Sequence, residues 1–137
     1  YNYRMPNINA ALGCAQQEQL PGFLLAKRRL FERYQAAFAQ VPDARIVAEP
    51  AGCRSNYWLQ TLLLDESAAG QRDAILAATN DAGLMTRPAW TPMHRLVPYL
   101  ACPRMDLRVT ESLEQRLINL PSSSFLAHAD IVSPRHG

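Results

Sequence analysis

Lysine is the residue whose count most limits the chemistry open to this chain. Among 14 Lys and Arg residues only Lys27 is a lysine, and it lies in the run Lys27-Arg28-Arg29. An amine that forms a Schiff base needs a desolvated setting or a cationic neighbour to lower its pKa. Arg28 and Arg29 supply such charge, yet a basic run on an amphipathic helix is far more often a solvated face. Lys27 is therefore expected in solvent, and no catalytic residue is assigned.

A second group of residues suits binding. His94 follows Thr91-Pro92-Met93 in a loop stiffened by Pro88, Pro92 and Pro98, with Arg87 and Trp90 just before it. Arginine grips phosphate or carboxylate, tryptophan stacks on a base or covers a sugar, and neutral histidine hydrogen-bonds a hydroxyl or phosphate. Together they fit an anionic, ring-shaped ligand. On residues alone, a structural loop with a surface histidine is the stronger reading. At the start of the chain, Tyr1-Asn2-Tyr3-Arg4 precedes a helix whose positive entrance suits an anion. An ordinary capping segment explains those four residues as well. Ser122-Ser123-Ser124 has no G-x-S-x-G setting and reads as a turn.

The elements that must position these side chains follow from periodicity. Residues 7–20 form helix one, with Ile8, Leu12 and Ala15 on one stripe, interrupted before Pro21. Pro21 suits the first turn of a second helix running to about Gln40, in which Leu24, Phe31 and Phe38 recur every seven residues. Residues 45–48 read as a short strand, 49–52 as a turn, and 56–64 as a central strand with two largely apolar faces. Ser67 caps a third helix from Ala68 to Ala82, with Ile75, Leu76 and Thr79 inward and Gly83 as its left-handed end. Residues 84–87 predict another strand, 110–116 a short helix, 118–120 a last strand, and the tail from Ala127 is expected to fray. The order predicts an α+β fold, an α/β sandwich of long helices packed on a small, mainly antiparallel sheet.

Bulk properties exclude several classes. Apolar residues make up 48% and charged residues 19%, as in a folded globular domain, and 137 residues suffice for one core. A net charge of +2 predicts neither nucleic acid nor a membrane surface as partner. Cys14, Cys53 and Cys102 lack metal-ligand spacing and read as free thiols of a reducing cytoplasm. No metal site is expected, and no GxGxxG, Walker, HExxH or EF-hand pattern occurs. The abrupt, motif-like start at Tyr1 predicts a portion of a longer polypeptide.

Taken together, the motifs carry a resemblance. The opening Tyr1-Asn2-Tyr3-Arg4, with Ala10-Ala11-Leu12-Gly13 after it, is similar to the GYNYR and AALG segment of the DegT/DnrJ/EryC/StrS-type aminotransferases of nucleotide sugars. The similarity continues through Lys27-Arg28-Arg29, Asn56-Tyr57-Trp58, the stretch from Thr86 to His94 and Ile118-Asn119-Leu120-Pro121-Ser122-Ser123. The last two stretches look most like the branch that aminates UDP- or GDP-linked keto sugars for perosamine, legionaminic acid and related surface glycans.

The resemblance implies a pyridoxal-phosphate (PLP) enzyme of fold-type I, a homodimer using glutamate as amino donor. Residues 1–126 would be its small C-terminal domain, with 1–40 as a helical entry segment and 127–137 as a tail. Carried over by position, Asn2 matches an asparagine that reaches the cofactor phosphate of the partner subunit, with Arg4 beside it. His94 matches a histidine near the nucleotide-sugar site, and Arg87 and Trp90 lie in the same matching loop. The family's Schiff-base lysine and its cofactor-pairing aspartate belong to a preceding large domain. This chain alone is thus expected to hold no cofactor and to be inactive. Two alternatives stay open. One is a non-catalytic module that binds a nucleotide sugar or a full-length aminotransferase; the other is one half of a two-chain enzyme.

Overall fold

Two short apolar stretches pair to begin the sheet. In the computed structural model, which describes residues 4–128, Ala44–Ile46 (β1) and Gln60–Leu64 (β2) run antiparallel, with Ala44 opposite Leu64 and Ile46 opposite Leu62. On its other side β2 pairs with Leu117–Leu120, where Leu62 meets Ile118. That strand, β4, also pairs with the two-residue strand Arg87–Pro88 (β3), giving the antiparallel order β1-β2-β4-β3. The two strands expected on either side of the turn at 49–52 pair with each other, and β2 is central as expected. Leu62, Leu63 and Leu64 are all buried, so both faces of β2 are covered.

β2 is shorter than the sequence predicts, and Tyr57 is the reason. Its φ of 45° lies in the left-handed region, where a bulky residue cannot continue a strand. Two local bonds hold the bend: the Tyr57 N–H donates to Ser55 Oγ and the Trp58 N–H to Asn56 Oδ1, both at 3.0 Å. Residues 84–87 are likewise not a full strand. The Thr86 N–H donates back to the Leu84 carbonyl at 2.8 Å, a tight turn, and pairing starts only at Arg87.

The two expected N-terminal helices are one. Helix α1 runs from Asn7 to Phe38, 32 residues, with Pro21 inside it. A proline cannot donate to the carbonyl four residues back, here that of Gln17. Gln17 is exposed, so water can satisfy that oxygen and the helix continues. The stripe Ile8, Leu12, Ala15 is exposed, and Leu24 is only partly covered; burial begins at Ala26, Leu30 and Phe31.

Ser67 does not cap the third helix. Its hydroxyl donates to Asp43, and a 3-10 segment, Glu66–Gln71, leads into α2, Arg72–Asp81. Gly83 does end it, with φ 79° and its N–H on the Asn80 carbonyl at 2.9 Å. Helix α3, Arg108–Glu114, precedes β4. Phe31, Ile46, Tyr57, Leu62, Leu64, Ala68 and Ile118 form the core, with Ile75 and Leu76 of α2 packed against it. The fold is α+β, three helices on a small antiparallel sheet.

Candidate functional site

The pairing of β3 with β4 brings the Arg87 loop beside the Asn119-Leu120-Pro121-Ser122-Ser123 stretch. Between them opens a cleft of about 600 Å³ whose lining includes Arg87, Trp90, Asn119, Ser122 and Ser123. Arg87 Nη1 donates to Asn80 Oδ1 and to the Thr86 carbonyl, each at 2.8 Å, which fixes the guanidinium while leaving further N–H groups for a ligand. Thr61 Oγ1 donates to Asn119 Oδ1 at 3.2 Å and fixes that amide.

Trp90 is 69% exposed and stacks on Trp58, itself 65% exposed, with centroids 6.2 Å apart and planes 21° from parallel. Two indoles in water beside an arginine form a flat surface for a planar or ring-shaped group. Trp58 was not among the residues expected at the site. Its signal was Asn56, whose side chain accepts from the Trp58 N–H in a turn that leaves Trp58 outside the sheet.

His94 is not in this cleft. Pro92 is extended, with ψ 140°, and a single 3-10 turn, Met93–Arg95, then carries the histidine to another pocket of about 380 Å³, with Tyr99, Cys102, Arg104 and Leu107 in its lining. The expected trio is thus divided, Arg87 and Trp90 in one cavity and His94 in another. Nor is His94 a surface histidine, because its side chain is only 13% exposed. Its Nε2 lies 3.0 Å from Glu111 Oε1. A carboxylate only accepts, so Nε2 carries the proton of that bond, and Nδ1 is an acceptor in the neutral ring. Arg95 pairs with Glu114 at 3.2 Å and ties the same turn to α3.

Lys27 overturns the expectation of a solvated amine. Its Nζ donates to the Ser122 carbonyl at 2.6 Å and the Trp58 carbonyl at 3.1 Å, and burial lowers its pKa from the ordinary value of 10.5. The basic run splits by role. Arg28 holds Glu49 through both carboxylate oxygens, at 2.7 and 3.2 Å, and lies 5.1 Å over the Tyr57 ring. The Arg28 guanidinium, with the Ser55 N–H, keeps the Glu49 carboxyl below its ordinary 4.5.

A depressed carboxylate contributes stability above its unfolded pKa and loses it as pH falls through the folded one. Glu49→Gln is therefore expected to be less stable than the parent at pH 7, with the gap closing below about pH 4. Urea midpoints across this range test it; a gap independent of pH would refute it.

Arg4 is exposed three residues before α1, and Asn2 lies outside the described residues. Among the described residues the helix entrance has no side-chain cap, and its first turn has no acidic residue. The three cysteines are exposed and unpaired. Among the described residues no cluster of three potential metal ligands occurs, and no helix is long and apolar enough to cross a membrane.

Residues 1–133 match the pattern of the DegT/DnrJ/EryC1/StrS aminotransferases. This chain belongs to that family. A GDP-perosamine synthase of Caulobacter vibrioides is 33% identical over 134 residues, which is 96% of this chain and 36% of that relative. Among solved structures, the aminotransferase TlmJ from Streptoalloteichus hindustanus is 27% identical with a TM-score of 0.77, over 90% of this chain and 32% of its own. DesI, solved with its TDP-sugar product, is 26% identical with a TM-score of 0.79, over 88% of this chain and 31% of its own. The chain thus spans about a third of the length of the relatives it matches.

The DegT/DnrJ/EryC1/StrS family works through pyridoxal phosphate. The described residues do not fit that cofactor by themselves. The sole lysine has its amine bonded to two backbone carbonyls rather than free to form a Schiff base.

Proposed function

We propose that this chain is the small-domain portion, residues 1–126 with a tail at 127–137, of a cytoplasmic, homodimeric aminotransferase that moves an amino group from glutamate onto a nucleotide-linked keto sugar of the perosamine type. The observation that carries this reading is the Trp58–Trp90 stack beside Arg87, on a chain of sugar-aminotransferase family. The indoles offer stacking area for a base or sugar ring, and Arg87 offers a charged donor for a phosphate.

His94 supplies an acceptor at Nδ1, held in register by Glu111, for a hydroxyl of the same substrate. Asn2 and Arg4, before the positive entrance of α1, would contact the cofactor phosphate held by a partner large domain. The chain's share of the reaction is then binding and closure of the site.

The exposed apolar residues Ile8, Leu12, Leu20, Leu24 and Leu25 of α1 favour contact with such a large domain, whether covalently joined or on a separate chain. In the complete aminotransferase, His94→Ala is expected to raise KM for the nucleotide sugar about tenfold, the loss of one good hydrogen bond, while the bound cofactor's absorbance is unchanged. Kinetics equal to wild type would remove His94 from the site.

A further inference from the structure

The Trp58 indole extends the cleft through Trp90, the lining residue on which it stacks, and its backbone is held from several sides. Its carbonyl accepts from Lys27 Nζ at 3.1 Å and from Ser122 Oγ at 2.8 Å, and Lys27 Nζ also reaches the Ser122 carbonyl at 2.6 Å. One ammonium thus joins α1, the segment entering β2 and the segment leaving β4. The preceding residue, Tyr57, is in a left-handed conformation that a tyrosine rarely adopts. Its ring is stacked on Phe31 at 4.2 Å and covered by Arg28. Strained residues persist where the surroundings over-determine them, and here the strain sits immediately before the exposed indole.

We propose that Lys27 is a positioning residue for the cleft: its ammonium, through the Trp58 and Ser122 carbonyls, sets the Trp58 indole against Trp90 and so shapes the ligand surface. The proposal rests on the reading of that cleft as the nucleotide-sugar site. The type of residue fits the task. An ammonium is a compact charge with three donors, able to serve two carbonyls that do not share a plane, whereas a guanidinium presents a flat fork. No ion pair of Lys27 occurs among the described residues, so its charge is met by two backbone oxygens, one of them that of Ser122 in the cleft lining. Gln60 secures the other end, its Nε2 donating to the Lys27 carbonyl at 3.1 Å.

The test uses the full chain, in which Trp58 and Trp90 are the only tryptophans. Stacked indoles give an exciton couplet in circular dichroism, and their fluorescence reports titration with GDP-mannose and UDP-N-acetylglucosamine. Lys27→Met is expected to lose the couplet and to weaken binding of the better probe about tenfold. Lys27→Arg should recover part of both, and Ser122→Ala, which removes one donor to the Trp58 carbonyl, should lower both to a lesser degree.

A purely structural lysine would lower the melting temperature while the folded variant kept couplet and affinity, and that result would overturn the proposal. If Lys27→Met does not fold, a wild-type couplet in both Lys27→Arg and Ser122→Ala overturns it. Trp90→Ala separates the two readings. Binding lost in Trp90→Ala but kept in Lys27→Met leaves the site standing and removes Lys27. Binding kept in Trp90→Ala removes the site reading, and the couplet still decides whether Lys27 sets Trp58.

Discussion

Ile118→Ala is expected to destabilise the chain by about 3 kcal/mol, within the range for truncating a fully buried aliphatic side chain. Ile118 has no exposed surface, lies opposite Leu62 on one side and Pro88 on the other, and joins the core made by Phe31, Ile46 and Leu64. Its loss removes apolar contact and leaves a cavity that two paired strands cannot close by moving. Against a typical domain stability of about 5–15 kcal/mol, that is a large fraction. Urea unfolding should show a lower midpoint with an unchanged slope. A loss below about 1 kcal/mol would mean the site relaxes in a way the sheet register does not allow.

Trp90→Ala should have the opposite profile, a large loss of binding with little loss of stability. The side chain is 69% exposed, so truncating it removes little buried area. Stacking of a ring on an aromatic side chain is worth about 1–3 kcal/mol, so affinity for GDP-mannose or UDP-N-acetylglucosamine should fall roughly 5- to 150-fold. Calorimetric titration measures the loss and a thermal melt checks the fold. Affinity within about twofold of wild type would show that the tryptophan face is not where the ligand sits.

What could be read from the residues, and what could not, divides by distance along the chain. The Gly83 helix end and the inward Ile75 and Leu76 follow from patterns a few residues long, and the β1–β2 pairing joins consecutive apolar runs 16 to 20 residues apart; all three were legible. Pro21 misled because its penalty depends on whether the Gln17 carbonyl is exposed, a tertiary fact. The role of Lys27 rests on carbonyls 31 and 95 residues away, which no local pattern encodes. Arg87, Trp90 and His94 were read as one group because they are adjacent in sequence. A single turn at Met93–Arg95, anchored to α3 through Glu111 and Glu114, sends the histidine elsewhere. Trp58 was hidden for the converse reason: it meets Trp90 only after the sheet has formed.

The shortness of β1 and β3 also bears on how copies of this chain behave toward one another. Both strands lie at the edges of the sheet, three and two residues long. A sheet edge recruits foreign strands through its row of unpaired amides, and here that row is brief on each side. Pro88 removes one more donor on the β3 side, as prolines at sheet edges do. The two edges of this sheet thus offer little backbone for a strand of another copy to pair with.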